Sequence, residues 1–294
     1  MAIFATYLAT YGFLGFVSVN LATMDAVQPL RSLPSNMTDE TRVLARLDGR
    51  MANTPLSGAL ASLGLESALP VRAFFSWTGK RNYEGRWWSS TVRSHVGFES
   101  LLERDFILSA DHNRDVVGVA SQPFAFLWPR GTEGSRGHVP DFFVRLRDGT
   151  GRVVDVKPAG RVRSAERQFG LTREACAAAG WEYEVFTGLA EPLASNLRWL
   201  AGYRQDRFAP DGTAAAVLVD SFNPEASLTG GVRRAAKALG IDEGIVRAQV
   251  LHLLFTGVLA VDLDALLTQN TRVSLGVAPK AGSAWDARSR EAAS

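Results

Sequence analysis

Two short runs carry the residues best suited to chemistry: Pro140-Asp141-Phe142-Phe143-Val144 and, beyond a turn at Asp148-Gly149, Val153-Val154-Asp155-Val156-Lys157. In extended backbone successive side chains alternate faces, so Asp155 and Lys157 share one face while Val154 and Val156 share the other. One face then reads as core and the other as polar. If the runs pair as an antiparallel hairpin, Asp141 approaches Asp155, and two carboxylates stand beside one ammonium. Carboxylates that close repel unless a cation neutralises them or one takes up a proton. Hard oxygen donors favour Mg2+ or Mn2+, which keep several waters and bind phosphate oxygens. Glu103, on a helical pattern upstream, would complete the acidic cluster, with Glu99 one turn earlier as its rival. Lys157 could orient or help deprotonate an attacking water and offset charge on a phosphorane, which is the chemistry of phosphodiester hydrolysis.

A lone D-x-K is common on solvated strand faces and carries little by itself. Here it is joined by a proline-led aspartate, a short hairpin, valines on the opposite face and an acidic helix upstream. The chain has 28 arginines but only four lysines, Lys80, Lys157, Lys237 and Lys280. In that background a lysine marks a place where a compact ammonium serves and a planar guanidinium does not.

The elements around these runs follow from periodicity. Phe98 to Ala110 is predicted helical through its stripe of Phe98, Leu101, Leu102 and Phe106. Strands are predicted over Val116 to Ala120, Pro123 to Trp128, Val139 to Leu146, Val153 to Lys157 and Tyr183 to Thr187. A second helix is predicted from Ser164 to Ala179, stopped by Gly180, and a third over Leu189 to Phe208. This order implies an α/β or α+β core built on a mixed sheet flanked by helices. Beyond Pro210-Asp211-Gly212, helical patterns at 214 to 221, 228 to 239 and 242 to 255 precede strand candidates at Val258 to Leu263 and Arg272 to Leu275, the pattern of a winged helix. The domains expected are an N-terminal arm to residue 70, a nuclease domain over 71 to 208, a winged-helix domain over 209 to 275 and a disordered tail. A short helix is expected within the arm, from Asp39 to Leu47.

Other side chains suit nucleic acid. Residues 71 to 93 interleave aromatics with Arg72, Lys80, Arg81, Arg86 and Arg93, fitting phosphate contacts and base stacking, or equally a hairpin core with arginines reaching water. Arg81, Arg93, Gln122 and His138 are candidate substrate contacts. Arg233, Arg234 and Lys237 on one predicted helix, with Arg247 on the next, are a candidate surface for DNA or a partner.

Bulk properties bound these readings. At 294 residues and 46% hydrophobic the chain can bury a real core. A net charge of only +2 means that DNA must be held by local basic patches. Cys176 is the single cysteine, which excludes an internal disulfide and a cysteine-built zinc site, and the reducing cytosol is the expected compartment. The four histidines are too scattered for a zinc site. Residues 1 to 24 are apolar but lack the flanking charges of a signal or anchor, so membrane anchoring is not expected.

The runs Glu99-Ser100-Leu101-Leu102-Glu103-Arg104-Asp105-Phe106, Ser121-Gln122-Pro123-Phe124, His138-Val139-Pro140-Asp141-Phe142 and Val154-Asp155-Val156-Lys157-Pro158 resemble the TnsA-type endonuclease subunits of heteromeric transposases. The resemblance spans about residues 71 to 275. It implies a restriction-endonuclease-like fold of the PD-(D/E)xK superfamily followed by a winged helix, with Mg2+ as cofactor, as two ions. It places the family's catalytic glutamate on Glu103, its aspartate on Asp141 and its lysine on Lys157. Asp155 departs from members with glutamine there, but a carboxylate is the commoner choice in the wider superfamily. The likeness further implies cutting at the 5′ ends of a transposon, in double-stranded DNA, beside a DDE-type transposase and an ATPase regulator that contacts the C-terminal region. Small-molecule substrates are not implied. Two other readings fit the same residues: an autonomous restriction or repair nuclease, and a catalytically silent DNA-binding assembly protein.

Overall fold

The computed structural model describes residues 28–72, 83–132 and 135–276. Arg81 and Lys80, residues 1 to 24 and the expected tail lie outside the described residues.

The strands in chain order are β1 (Arg42–Leu47), β2 (Arg50–Pro55), β3 (Gly85–Ser89), β4 (Ser94–Phe98), β5 (Val116–Ser121), β6 (Phe124–Leu127), β7 (Gly137–His138), β8 (Phe142–Leu146), β9 (Gly151–Val156), β10 (Glu182–Phe186), β11 (Ala226–Ser227), β12 (Leu259–Ala260) and β13 (Arg272–Leu275). The helices are α1 (Leu101–His112), α2 (Glu166–Ala179), α3 (Leu193–Leu200), α4 (Gly212–Asp220), α5 (Leu228–Leu239) and α6 (Glu243–Phe255).

The central sheet has the order β10-β9-β8-β5. It is mixed: β5, β8 and β9 run antiparallel to their neighbours, while β10 joins β9 in parallel. That parallel step requires a crossover, and α2 supplies it. Gly180 ends α2 at φ 74°, a left-handed position that glycine takes without a Cβ penalty. Both faces of this sheet are buried. On one face Phe142, Val144 and Val154 pack against Phe106, Ile107 and Ala110 of α1. On the other, Phe143 and Val153 meet Ala175, Cys176 and Ala179 of α2 together with Val43, Phe124 and Phe126. The face of β9 expected to be purely polar is therefore a second core as far as Val153.

Val43 and Phe124 belong to a second sheet, ordered β2-β1-β6-β7. The helix expected from Asp39 to Leu47 is instead strand β1, paired with β2 across Asp48-Gly49 and with β6. Val43 and Ala45 point to the large core and Leu44 to a small one with Val71 and Leu127, a period of two that suits a sheet buried on both sides. The expected arm is thus an integral layer, whose cost of ordering is met by pairing with distant residues of β6.

In the aromatic stretch, β3 and β4 form a hairpin. Asp111, buried at the end of α1, anchors it: its carboxylate accepts from Ser89 Oγ (2.8 Å), the Thr91 amide (2.8 Å), the Ser90 amide (3.1 Å) and Trp87 Nε1 (3.2 Å).

The segment predicted helical over Leu189 to Phe208 forms α3 and then two 3₁₀ turns. Leu193, Leu197 and Leu200 of α3 share one core with Leu218, Val232, Val250, Leu254 and Val273 of the C-terminal elements. There β11, β13 and β12 make a three-stranded sheet in that order, around α4, α5 and α6. Among the described residues no helix is long and apolar enough to cross a membrane.

Candidate active site

Asp141 immediately precedes β8, and the β8–β9 register pairs Phe142 with Val154. Continuing that register by one residue sets Asp141 opposite Asp155. Asp141 Oδ2 accepts from the Val156 amide at 2.7 Å, which fixes one carboxylate oxygen and leaves Oδ1 available. Burial pushes the Asp141 carboxyl well above the ordinary carboxylate range, and the negative charges of Asp155 and then Glu103 push it further. The three acids predicted to cluster therefore feel one another electrostatically.

Glu103 sits at the start of α1 in a capping box. Ser100 Oγ accepts from the Glu103 amide at 3.2 Å and donates to Glu103 Oε1 at 2.9 Å, while the Glu99 amide donates to Glu103 Oε2 at 2.7 Å. Burial, more than any neighbour, raises the Glu103 carboxyl above its usual range. Glu99 faces elsewhere and pairs with Arg72 at 3.0 Å.

Asp155, 3% exposed, is held on both oxygens. His138 Nε2 lies 2.8 Å from Oδ1 and 2.9 Å from Oδ2, and the Tyr183 hydroxyl donates to Oδ2 at 2.6 Å. Burial and then Asp155 drive the Tyr183 phenol far upward, so it remains a donor. Tyr183 lies two residues before Val185, the parallel partner of Asp155, and thus on the same face of the sheet.

Lys157 follows β9, its amide donating to the Phe186 carbonyl at 2.9 Å. Its side chain is partly exposed, and among the described residues it forms no ion pair. Arg161 and Arg163 stand exposed on the 3₁₀ turns that come next.

Among the described residues no three His, Cys, Asp or Glu side chains are grouped as a ready metal site. Glu103 is engaged in its cap, and Asp155 by His138 and Tyr183. The donor set still fits a hard divalent cation, because Asp141 and Glu103 offer carboxylate oxygens whose ionisation is opposed by burial, and at Asp141 also by the charges of Asp155 and Glu103.

Residues 113–188 match the family model described as TnsA-like endonuclease N terminal. This segment is a TnsA-like endonuclease domain. The matched span holds Gln122, His138, Asp141, Asp155, Lys157 and Tyr183, whereas Glu103 and Arg72 lie outside it. No curated protein sequence matches the chain. The TnsA-like domain gives the chain an endonuclease role connected with transposition, on a restriction-endonuclease-like α/β fold.

The remaining candidates are spread widely around the TnsA-like domain. Gln122, 1% exposed and at φ 47°, donates its backbone amide to the Asp141 carbonyl at 2.9 Å, and its buried side-chain Oε1 has no partner among the described residues. Arg93 lies on the β3–β4 turn and pairs with Asp206. On α5, Arg233 is exposed, 3.8 Å from Glu243, whereas Arg234 spends its guanidinium on the Ser221 carbonyl at 2.6 Å. Lys237 is exposed in the last turn of α5, and Arg247 is half-buried on α6. Sequence reasoning missed Tyr183 and Arg72 as site residues. Tyr183 was readable only as an aromatic in a strand, since its partner on β9 is set by the parallel register.

Proposed function

We propose that the protein is a Mg2+-dependent DNA endonuclease subunit of a heteromeric transposase, hydrolysing one phosphodiester at each 5′ end of the element. The observation that carries this reading is Asp141, at the head of β8, set opposite Asp155 and influenced by Glu103, within a TnsA-like domain whose next strand, β9, is followed directly by Lys157. A cluster of buried acids costs stability unless a cation joins it, and such costs concentrate at functional sites.

Asp141 and Glu103 would hold Mg2+, which, when bound, supplies charge stabilisation at phosphate oxygens. Holding it would cost Glu103 at most its hydrogen bond from Ser100, and Asp141 could keep its bond from the Val156 amide. Lys157 carries its ammonium on a flexible four-carbon stem and has no ion-pair partner among the described residues, so it can orient the attacking water and offset charge that grows on phosphorus oxygens. In the reaction the water oxygen bonds phosphorus, the P–O3′ bond breaks, and a proton ends on the 3′ oxygen, leaving 5′-phosphate and 3′-hydroxyl products. Arg161 and Arg163 beside Lys157 supply positive charge for the DNA backbone.

The C-terminal order helix, short strand, two helices, two paired strands supports a winged helix, and we assign it to docking a partner. The N-terminal turn of α6 presents Ile241 and Ile245 beside Asp242 and Glu243, a surface that suits protein better than phosphate. A DDE-type transposase and an ATPase regulator are the partners that the TnsA likeness suggests.

The test is cleavage of transposon-end duplex DNA with Mg2+, with and without a DDE-type transposase, comparing wild type with Asp141→Ala and Lys157→Ala. Loss of cutting in both variants is expected. Equal cutting by all three proteins sinks the site.

A further inference from the structure

Arg72 lies between the two segments that carry the acids: its side chain pairs with Glu99 beside the Glu103 cap, and the preceding residue, Val71, is tied through Gln122 to the Asp141 backbone. Arg72 Nη2 donates to Glu99 Oε2 at 3.0 Å, and the Glu99 amide donates in turn to Glu103 Oε2 at 2.7 Å. On the other side the Val71 amide donates to the Gln122 carbonyl at 2.8 Å, and the Gln122 amide donates to the Asp141 carbonyl at 2.9 Å. The guanidinium charge reaches both carboxylates and favours their ionised forms.

The arginine is only partly satisfied. Its Nε is buried with no hydrogen-bond partner among the described residues, although the side chain as a whole is 42% exposed. A buried unpaired donor is costly, more so on a charged group. An ordinary surface ion pair contributes little and does not account for the orphaned Nε. The guanidinium is a planar fork matched to two oxygens of a phosphate or carboxylate, and here one prong is taken while Nε waits.

We propose that Arg72 is a catalytic residue of this nuclease site: it binds the non-bridging oxygens of the scissile phosphate, and Glu99 holds it in place until DNA arrives. The inference rests on the nuclease reading above and assigns Glu99 to the arginine, leaving the acidic site to Glu103. A phosphate displaces Glu99 from Nη2, and the partly exposed guanidinium turns with it so that Nε also meets a phosphate oxygen. As water adds, negative charge grows on those oxygens, and the fixed cation stabilises it without any proton transfer.

This arrangement has a signature that a structural role lacks. Arg72 competes electrostatically with a divalent cation for the field of Asp141 and Glu103, so its removal tightens cation binding while slowing cleavage. The experiment uses the full chain: Ca2+ titration calorimetry without DNA, and Mg2+-dependent nicking of transposon-end duplex with the partner transposase present. Arg72→Ala is expected to nick roughly 100-fold more slowly at saturating DNA and to bind Ca2+ more tightly than wild type. Arg72→Lys is expected to fall between the two, and Glu99→Gln to keep most of the activity. Wild-type nicking by Arg72→Ala, or its loss of Ca2+ binding together with nicking, overturns the proposal. So does a Glu99→Gln protein as inactive and cation-blind as Asp141→Ala, which would make Glu99 the ligand. A wild-type chain that neither binds Ca2+ nor nicks overturns the nuclease reading itself.

Discussion

Asp155 and His138 form a closed acid–base contact, with His138 Nε2 within 2.9 Å of both carboxylate oxygens and the Tyr183 hydroxyl 2.6 Å from one of them. The acid of the D-x-K run is therefore the best-satisfied carboxylate of the three. Tyr183→Phe removes one bond to a buried anion and should lower stability by about 1.5–3 kcal/mol. His138→Ala leaves Asp155 with Tyr183 alone and should likewise cost about 1.5–3 kcal/mol, as for a lost hydrogen bond to a charged group. Urea denaturation measures both, and a Tyr183→Phe protein as stable as wild type would show that this bond contributes nothing net.

Asp141 makes a prediction about pH. Its folded pKa is raised above the unfolded value, so the folded state binds the proton more tightly and ionisation costs stability. That cost is absent below the unfolded pKa, grows as pH rises towards the folded pKa, and is complete above it. In EDTA at pH 8, Asp141→Asn should be more stable than wild type, with the melting temperature rising by about 2–4 °C for each kcal/mol relieved. At pH 4 the difference should vanish. A destabilised Asp141→Asn protein at pH 8 contradicts the burial and repulsion argument.

Ser100 ties helix stability to the site. Ser100→Ala removes the cap on α1 and should cost about 1 kcal/mol in thermal or chemical unfolding. It also frees Glu103 Oε1, so the Mg2+ concentration for half-maximal nicking should fall. A rise instead means that the cap orients Glu103 for the metal.

Asp111 tests how the β3–β4 hairpin is fixed. Asp111→Ala strands the Ser89 hydroxyl and the Ser90 and Thr91 amides, and should destabilise by about 2–4 kcal/mol. Hydrogen exchange at residues 89 to 92 should accelerate in the variant. Unchanged exchange there would show that the hairpin is held by its aromatics alone.

The sequence by itself determined the local features. Alternation fixed β8 and β9, the Asp148-Gly149 turn joined them as a hairpin, and that hairpin alone brings Asp141 to Asp155. Apolar spacing and caps marked α1, α2, α5 and α6, because those signals lie within a few residues of one another. The tertiary structure decided what depends on distant pairing. Residues 42 to 47 have too weak a pattern to declare a strand; they become β1 by pairing with β2 across Asp48-Gly49 on one side and with β6, some 80 residues away, on the other. The same is true within the site. No spacing rule joins Tyr183 and His138 to Asp155, or Arg72 to Glu99, since those contacts follow from a parallel register and from the packing of one layer on another. The D-x-K run announced the chemistry, and the fold decided which of its acids stands ready and which is already held.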